Sequence, residues 1–159
     1  MKLTLITAGR IKDRWISDGV EEYARRLRRY GGVTILEVAD EKIPERYSPA
    51  QVREALEKEG ERMLDRWPAG AWGVALDIDG RQLDSEGLAQ LIETRAVSGS
   101  SHMVFAIGGS NGLAPSVRDR CRDRLSFGPL TFPHQLFRVM LLEQLYRAAT
   151  IRAGHPYHK

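Results

Sequence analysis

Short apolar runs alternate with charged stretches of helical period along the whole chain. Lys2 to Ala8 carries β-branched Thr4, Ile6 and Thr7 and stops at Gly9, which predicts a first buried strand. From Trp15 to Tyr30, the residues Trp15, Ile16, Val20, Tyr23, Ala24 and Leu27 recur at helical spacing with arginines opposite. That spacing predicts an amphipathic helix, closed by Gly31-Gly32. Val33 to Val38 reads as a second strand, and Asp40 to Ser48 as a polar loop broken by Pro44. Ser48-Pro49 supplies an N-cap and a first-turn proline to a charged helix, whose Val52, Leu56, Met63 and Leu64 make one apolar face up to Trp67-Pro68. Trp72 to Asp77 predicts a third strand, with Ile78-Asp79-Gly80 as the turn after it. Ser85 is placed to cap a helix carrying Leu88, Leu91 and Ile92, which Gly99-Ser100-Ser101 ends. His102 to Ile107 is a fourth strand, Ala114-Pro115-Ser116 starts a short helix through Cys121, and Arg124 to Phe127 is a brief fifth strand.

The last helix, Pro133 to about Arg152, differs from the others in being apolar over more than one stripe, with Leu136, Phe137, Val139, Met140, Leu141, Leu142, Leu145 and Tyr146 among its residues. A helix with one buried face needs one stripe, so the sheet is expected on one side and a partner subunit on the other. Pro156 forces the chain out of the helix and leaves a short polar tail. Strands alternating with helices over residues 1–159 predict one domain of the α/β class, a mostly parallel sheet with helices on both faces. In such folds ligands sit at the carboxyl ends of the strands. Two glycine-bearing loops leave such ends, Gly108-Gly109-Ser110-Asn111-Gly112 and Phe127-Gly128-Pro129-Leu130-Thr131-Phe132. Two tight turns without a ligand would carry the same pattern.

Composition narrows the classes. One cysteine, Cys121, and four histidines without Cys/His spacing give neither a disulfide framework nor a metal site, which fits a reducing cytoplasm. The N-terminal apolar run meets Arg10 and Lys12 at once, too early for a signal peptide, and no other run approaches a membrane span. With 24 basic and 21 acidic residues the net charge is +3, but the arginines cluster at Arg25, Arg26, Arg28 and Arg29 and again at Arg118, Arg120, Arg122 and Arg124. Two such clusters favour nucleic acid over membrane as a partner, although each on its own is the ordinary look of a solvated face.

Neither glycine loop has the dinucleotide or P-loop pattern, and the chain has no nucleophile elbow. The second loop offers apolar walls and backbone groups without a fixed cation, which suits an adenosine-like ligand better than a phosphate. Asp77 and Asp79 follow a strand end, as a ribose contact, a general base or the acids of a plain turn.

I-G-G-S-N-G-L, F-G-P-L-T-F-P-H, the helix start H-Q-L-F-R-V with L-Y-R-A after it, and the terminal H-P-Y-H-K together resemble the RlmH family, the bacterial 23S rRNA pseudouridine N3-methyltransferases of the SPOUT superfamily. The resemblance runs from M-K-L-T-L-I to the tail. It implies a trefoil-knotted α/β fold, S-adenosyl-L-methionine as cofactor, no metal, and a homodimer acting on helix 69 of 23S rRNA in the assembled 70S ribosome. Carried over position by position, it places the cofactor at Leu76, Gly108, Phe127, Gly128, Pro129, Leu130, Thr131 and Phe132. Gly128-Pro129 and Ser110-Asn111 depart from the commoner family residues. Methyl transfer to an imino nitrogen requires that the N–H lose its proton, and the candidates for that work are Tyr157, His158 and Lys159 in the tail and Arg138 on the last helix. His134 reads as a helix-start residue. A non-catalytic ribosome-binding module, or an enzyme using another adenosine ligand, remain alternatives to the methyltransferase.

Overall fold

The five predicted strands form one sheet in the computed structural model, which describes residues 1–159. They are β1 (Lys2–Ala8), β2 (Thr34–Val38), β3 (Trp72–Gln82), β4 (His102–Ile107) and β5 (Asp123–Ser126), in the spatial order β2-β1-β4-β3-β5. Every pairing is parallel, and β1 meets β4 from Lys2 opposite His102 to Thr7 opposite Ile107. Alternation along the strands explains their unbroken apolar runs. Leu5, Val74 and Phe105 point into a core with α1 (Arg14–Leu27), α3 (Ser85–Val97) and α5 (His134–Ala153), while Ile6, Ala75, Val104 and Ala106 point into a second with α2 (Pro49–Asp65) and α4 (Pro115–Arg120). A strand covered on both faces has no solvent side to alternate with.

Local signals set the helix ends. Ser48 closes a capping box with Gln51, each side chain bonding the other's backbone N–H, and Pro49 takes the first helical position. The third helix begins one residue earlier than its sequence indicates: Asp84, not Ser85, is the cap, its carboxylate accepting the N–H of Gly87 at 2.7 Å. Ser85 instead donates to Gln144 of α5.

Two further expectations are corrected. Ile78-Asp79-Gly80 does not end β3. The strand bulges out after Leu76 and returns at Arg81, both of which lie opposite Leu125. Gly80 allows this because a Cβ there would lie 2.7 Å from the backbone of Arg124 and Leu125. The cover on α5 is also largely internal. Leu141, Leu142, Leu145 and Ala148 are fully buried in the chain's own core, with α1 and α3 flanking the helix. Only a half-buried strip that includes Leu136, Val139 and Met140 is left facing outward. No helix is long and apolar enough to cross a membrane.

Candidate active site

The carboxyl ends of β3, β4 and β5 open into a cavity of about 1050 Å³. Its floor is the loop after β4. Gly109 and Gly112 close on each other through an antiparallel bridge, with the N–H of Gly112 donating to the carbonyl of Gly109 at 3.0 Å. Gly108 sits inside this closure: a Cβ there would lie 2.2 Å from the carbonyl carbon and oxygen of Gly112 and 2.7 Å from the nitrogen of Leu113. Gly108 is thus required by the loop's own backbone, before any ligand is considered.

The loop after β5 forms the opposite wall. Ser126 Oγ accepts the N–H of Gly128 at 3.1 Å and donates to its carbonyl at 3.2 Å, fixing a turn in which Gly128 has φ +109°, a value side-chain-bearing residues avoid. Phe127 and Phe132 both pack on Phe137 of α5, with ring centroids 4.7 and 5.9 Å away. Leu130 is 70 % exposed at the rim, an apolar side chain with little cover of its own. Of the predicted cofactor residues, Leu76, Gly108, Phe127, Gly128, Leu130, Thr131 and Phe132 all line this cavity; Pro129 does not.

Sequence reasoning left Asp77 undecided and missed Arg118 and Phe137, which line the same cavity. Asp77 Oδ1 accepts the N–H of Asp79 at 3.1 Å, Oδ2 has no hydrogen-bond partner, and the guanidinium of Arg118 stands 3.9 Å away. His134 lines the cavity too, and burial, then the nearby Arg138 cation, holds its pKa below the ordinary 6.5. It is neutral at physiological pH.

A second cavity, of about 870 Å³, lies on the α1–α3–α5 face and shares Leu125, Ser126 and Phe127 with the first. The tail reaches it. His158 lines it, and its Nδ1 lies 3.3 Å from Arg147 Nη1. An arginine only donates, so Nδ1 accepts and the neutral ring carries its proton on Nε2. Tyr157 donates to Glu143 at 3.0 Å, meets Tyr146 edge-on at 4.7 Å and lies under Arg147. Burial, and then that hydrogen bond, push the Tyr157 hydroxyl up to about 12, so it stays protonated. Glu143, the only acid of α5, collects Arg147 and Tyr157 together. The tail therefore folds back on its own helix rather than leaving the subunit, because Glu143, Tyr146 and Arg147 give its aromatic and polar groups partners there. Lys159 is exposed at the end.

Arg138 is not brought to either cavity. It is 1 % exposed, donates to the carbonyls of Ala8 and Gly9 at 2.9 Å each, and pairs with Glu37 at 2.8 Å. It holds the end of β1 through two consecutive backbone carbonyls, a structural role within the subunit. No cluster of side chains could hold a metal ion.

The family described as "Predicted SPOUT methyltransferase" matches residues 1–158. The chain belongs to the SPOUT methyltransferases. Within them it groups with the ribosomal RNA large subunit methyltransferases H: the protein of that name from Bifidobacterium adolescentis is 50% identical over 159 residues, covering 100% of both chains. The SPOUT fold is also seen at low identity. The tRNA (m1G37) methyltransferase of Aquifex aeolicus superposes with a TM-score of 0.54 at 12% identity, covering 92% of this chain and 70% of that one. A putative methyltransferase of Legionella pneumophila, solved with bound cofactor SAM, gives 0.50 at 12% identity over 94% and 66%. In this SPOUT methyltransferase the two loops and the tail are thus carried on an architecture shared across the superfamily.

Proposed function

We propose that this chain transfers a methyl group from S-adenosylmethionine to N3 of a pseudouridine in helix 69 of 23S rRNA, acting as a homodimer on the assembled 70S ribosome in the cytoplasm. The observation that carries the reading is one of position. The residues that family resemblance assigns to the cofactor come from three separate strand ends, and all but Pro129 border a single cavity. That cavity also suits the cofactor's chemistry. Leu76, Ile107, Leu125 and Phe132 offer apolar walls for a purine, with loop backbone groups beside them to read its edge. Cβ atoms built at Gly109 and Gly128 would meet nothing within 4 Å, so both positions leave room. Asp77 contributes an oxygen without a hydrogen-bond partner, an acceptor of the kind that a hydroxyl or ammonium group takes.

Once bound, the cofactor supplies an electrophilic sulfonium methyl. The chain's part is to align the target nitrogen, exclude water and handle one proton. Phe127, which both cavities share, packs with Phe132 on Phe137 as an apolar wall of the cofactor cavity. On the tail side, the Nε2–H of His158 and the guanidinium of Arg147, which Glu143 also holds, would offset the enolate-like charge on the base oxygens once the imino proton has passed to solvent water. Tyr157 stays protonated, so it is a stacking and donor surface and not the proton acceptor. Lys159, exposed at the end, adds a cation for phosphate. The half-buried apolar strip on α5 supports the homodimer.

Transfer of tritiated methyl from S-adenosylmethionine to 70S ribosomes, compared with protein-free 23S rRNA, tests the reading. Incorporation into 23S rRNA of the intact ribosome is expected. Tight ribosome binding without incorporation would favour the non-catalytic binding module.

A further inference from the structure

The chain has two arginine clusters, and the fold treats them differently. On α1, Arg25 and Arg26 both bond Glu22 at 2.8 Å, Arg26 lies over Tyr23 and Tyr146, and Arg29 lies over Tyr30. Glu22 thus takes up Arg25 and Arg26, whereas Arg28 and Arg29 are exposed and have no carboxylate partner. The second cluster runs from α4 through a short connection into β5, the last strand of the sheet, whose outer edge pairs with nothing. Arg124 on β5 and Arg122 just before it are exposed and have no carboxylate within 4 Å; Arg120, half-buried at the end of α4, has none either.

The edge is also organised. Trp72 carries guanidiniums at 3.9 Å (Arg95) and 4.8 Å (Arg122), and Arg120 lies 5.3 Å from the ring of Trp67. Asp123 fixes the Trp72 ring by accepting its N–H at 2.7 Å and pairs with Arg81 and Arg95, so its charge is already shared by two cations. From residue 118 to residue 124 the chain carries four arginines against two carboxylates, Asp119 and Asp123. A guanidinium stacked on an indole has already lost much of its rotamer freedom and still offers its N–H edge, the fork that fits a phosphate. β5 then runs straight on to Leu125, Ser126 and Phe127, the residues common to both cavities, so Arg124 stands only about 3 to 10 Å along the strand from them.

We infer that the β5 edge, with Arg120, Arg122 and Arg124 as its free cations, is the surface that takes the RNA phosphate backbone and guides the target nucleotide to the cavities. This rests on the rRNA substrate reading above. Arginines on an edge strand also block strand-on-strand association, and that protective role alone would need no RNA.

The full-length protein is titrated with 70S ribosomes by sedimentation across a salt series, as wild type, Arg122→Gln/Arg124→Gln, Arg124→Gln alone, and Arg25→Gln. The double variant should bind at least about tenfold more weakly, with the salt slope reduced by about one per lost phosphate contact. Arg124→Gln should show about half that change in slope without touching the Trp72 stack. Arg25→Gln should match wild type, and all variants should keep wild-type melting temperature and S-adenosylmethionine affinity. Wild-type affinity and slope in both β5 variants overturn the assignment, as does equal weakening by Arg25→Gln. If wild type itself fails to bind ribosomes, the rRNA reading falls, and this surface falls with it.

Discussion

Replacing Gly108 by alanine tests how the cavity floor is built. The added methyl would lie 2.2 Å from the carbonyl carbon and oxygen of Gly112, where real Cβ contacts stop near 3.0 Å, and 2.7 Å from the nitrogen of Leu113. No flexible side chain can move aside, so the Gly109–Gly112 turn must retreat by about 1 Å. Overpacking of this kind costs about 1 to 3 kcal/mol. In a chain of this size that lowers the melting temperature by roughly 2 to 12 °C. The same shift moves the backbone that lines the cofactor cavity, and losing one backbone hydrogen bond together with loop strain should weaken S-adenosylmethionine binding about tenfold or more. Gly109→Ala is the matched control, because nothing lies within 4 Å of its added Cβ. Differential scanning fluorimetry and calorimetric titration of both variants decide the matter. If Gly108→Ala melts and binds like Gly109→Ala, the description of the loop is wrong.

Arg138→Met should leave the Ala8 and Gly9 carbonyls without their buried donor and cost about 2 to 4 kcal/mol, discounted at the half-exposed Glu37 partner, while cofactor affinity in the cold stays within about threefold of wild type; unchanged stability would contradict this structural role. Glu59 is buried, accepts the N–H of Glu41 at 2.7 Å, and burial raises its pKa above the ordinary 4.5. A raised carboxyl contributes stability below its unfolded value and loses it as pH rises through the folded one, so Glu59→Gln should raise the melting temperature near neutral pH and leave it nearly unchanged below about pH 4. An equal effect at both pH values would contradict this. Deleting Tyr157 to Lys159 should cost about 1 to 2 kcal/mol, since it removes the bond to Glu143 and the contacts with Tyr146 and Arg147, and should abolish methylation with cofactor affinity retained. Unchanged single-turnover methylation of 70S ribosomes would take the tail out of the mechanism.

What the sequence shows of this fold follows from how local each cause is. The strands announce themselves because Leu5 and Ile6, or Val104 and Phe105, are buried on opposite faces and both must be apolar. Ser48-Pro49 marks its helix because the cap bonds only three residues away. The β3 bulge is hidden: Asp79-Gly80 looks like a turn, and what holds it in the strand is the backbone of Leu125, far along the chain. Arg138 reads as a lone cation on an apolar helix until Ala8 and Gly9 are brought to it across 130 and 129 positions. The cofactor loops are legible as glycine-bearing strand ends, and their residue assignments come from family resemblance. Asp77 and Arg118 join them only when β3 and α4 meet at the cavity. The tail's chemistry is legible, but its placement is not, because Glu143 and Tyr146 fold it inward.

The central claim is a site-specific methylation. Ribosomes from cells lacking this activity are incubated with the protein and methyl-labelled S-adenosylmethionine, and 23S rRNA is then digested and mapped by mass spectrometry to single nucleosides. The account predicts one new methyl group, on N3 of a pseudouridine in helix 69, formed more slowly when the Gly108→Ala protein replaces wild type at limiting cofactor. A methyl group at any other nucleoside, or none in rRNA at all, would contradict it.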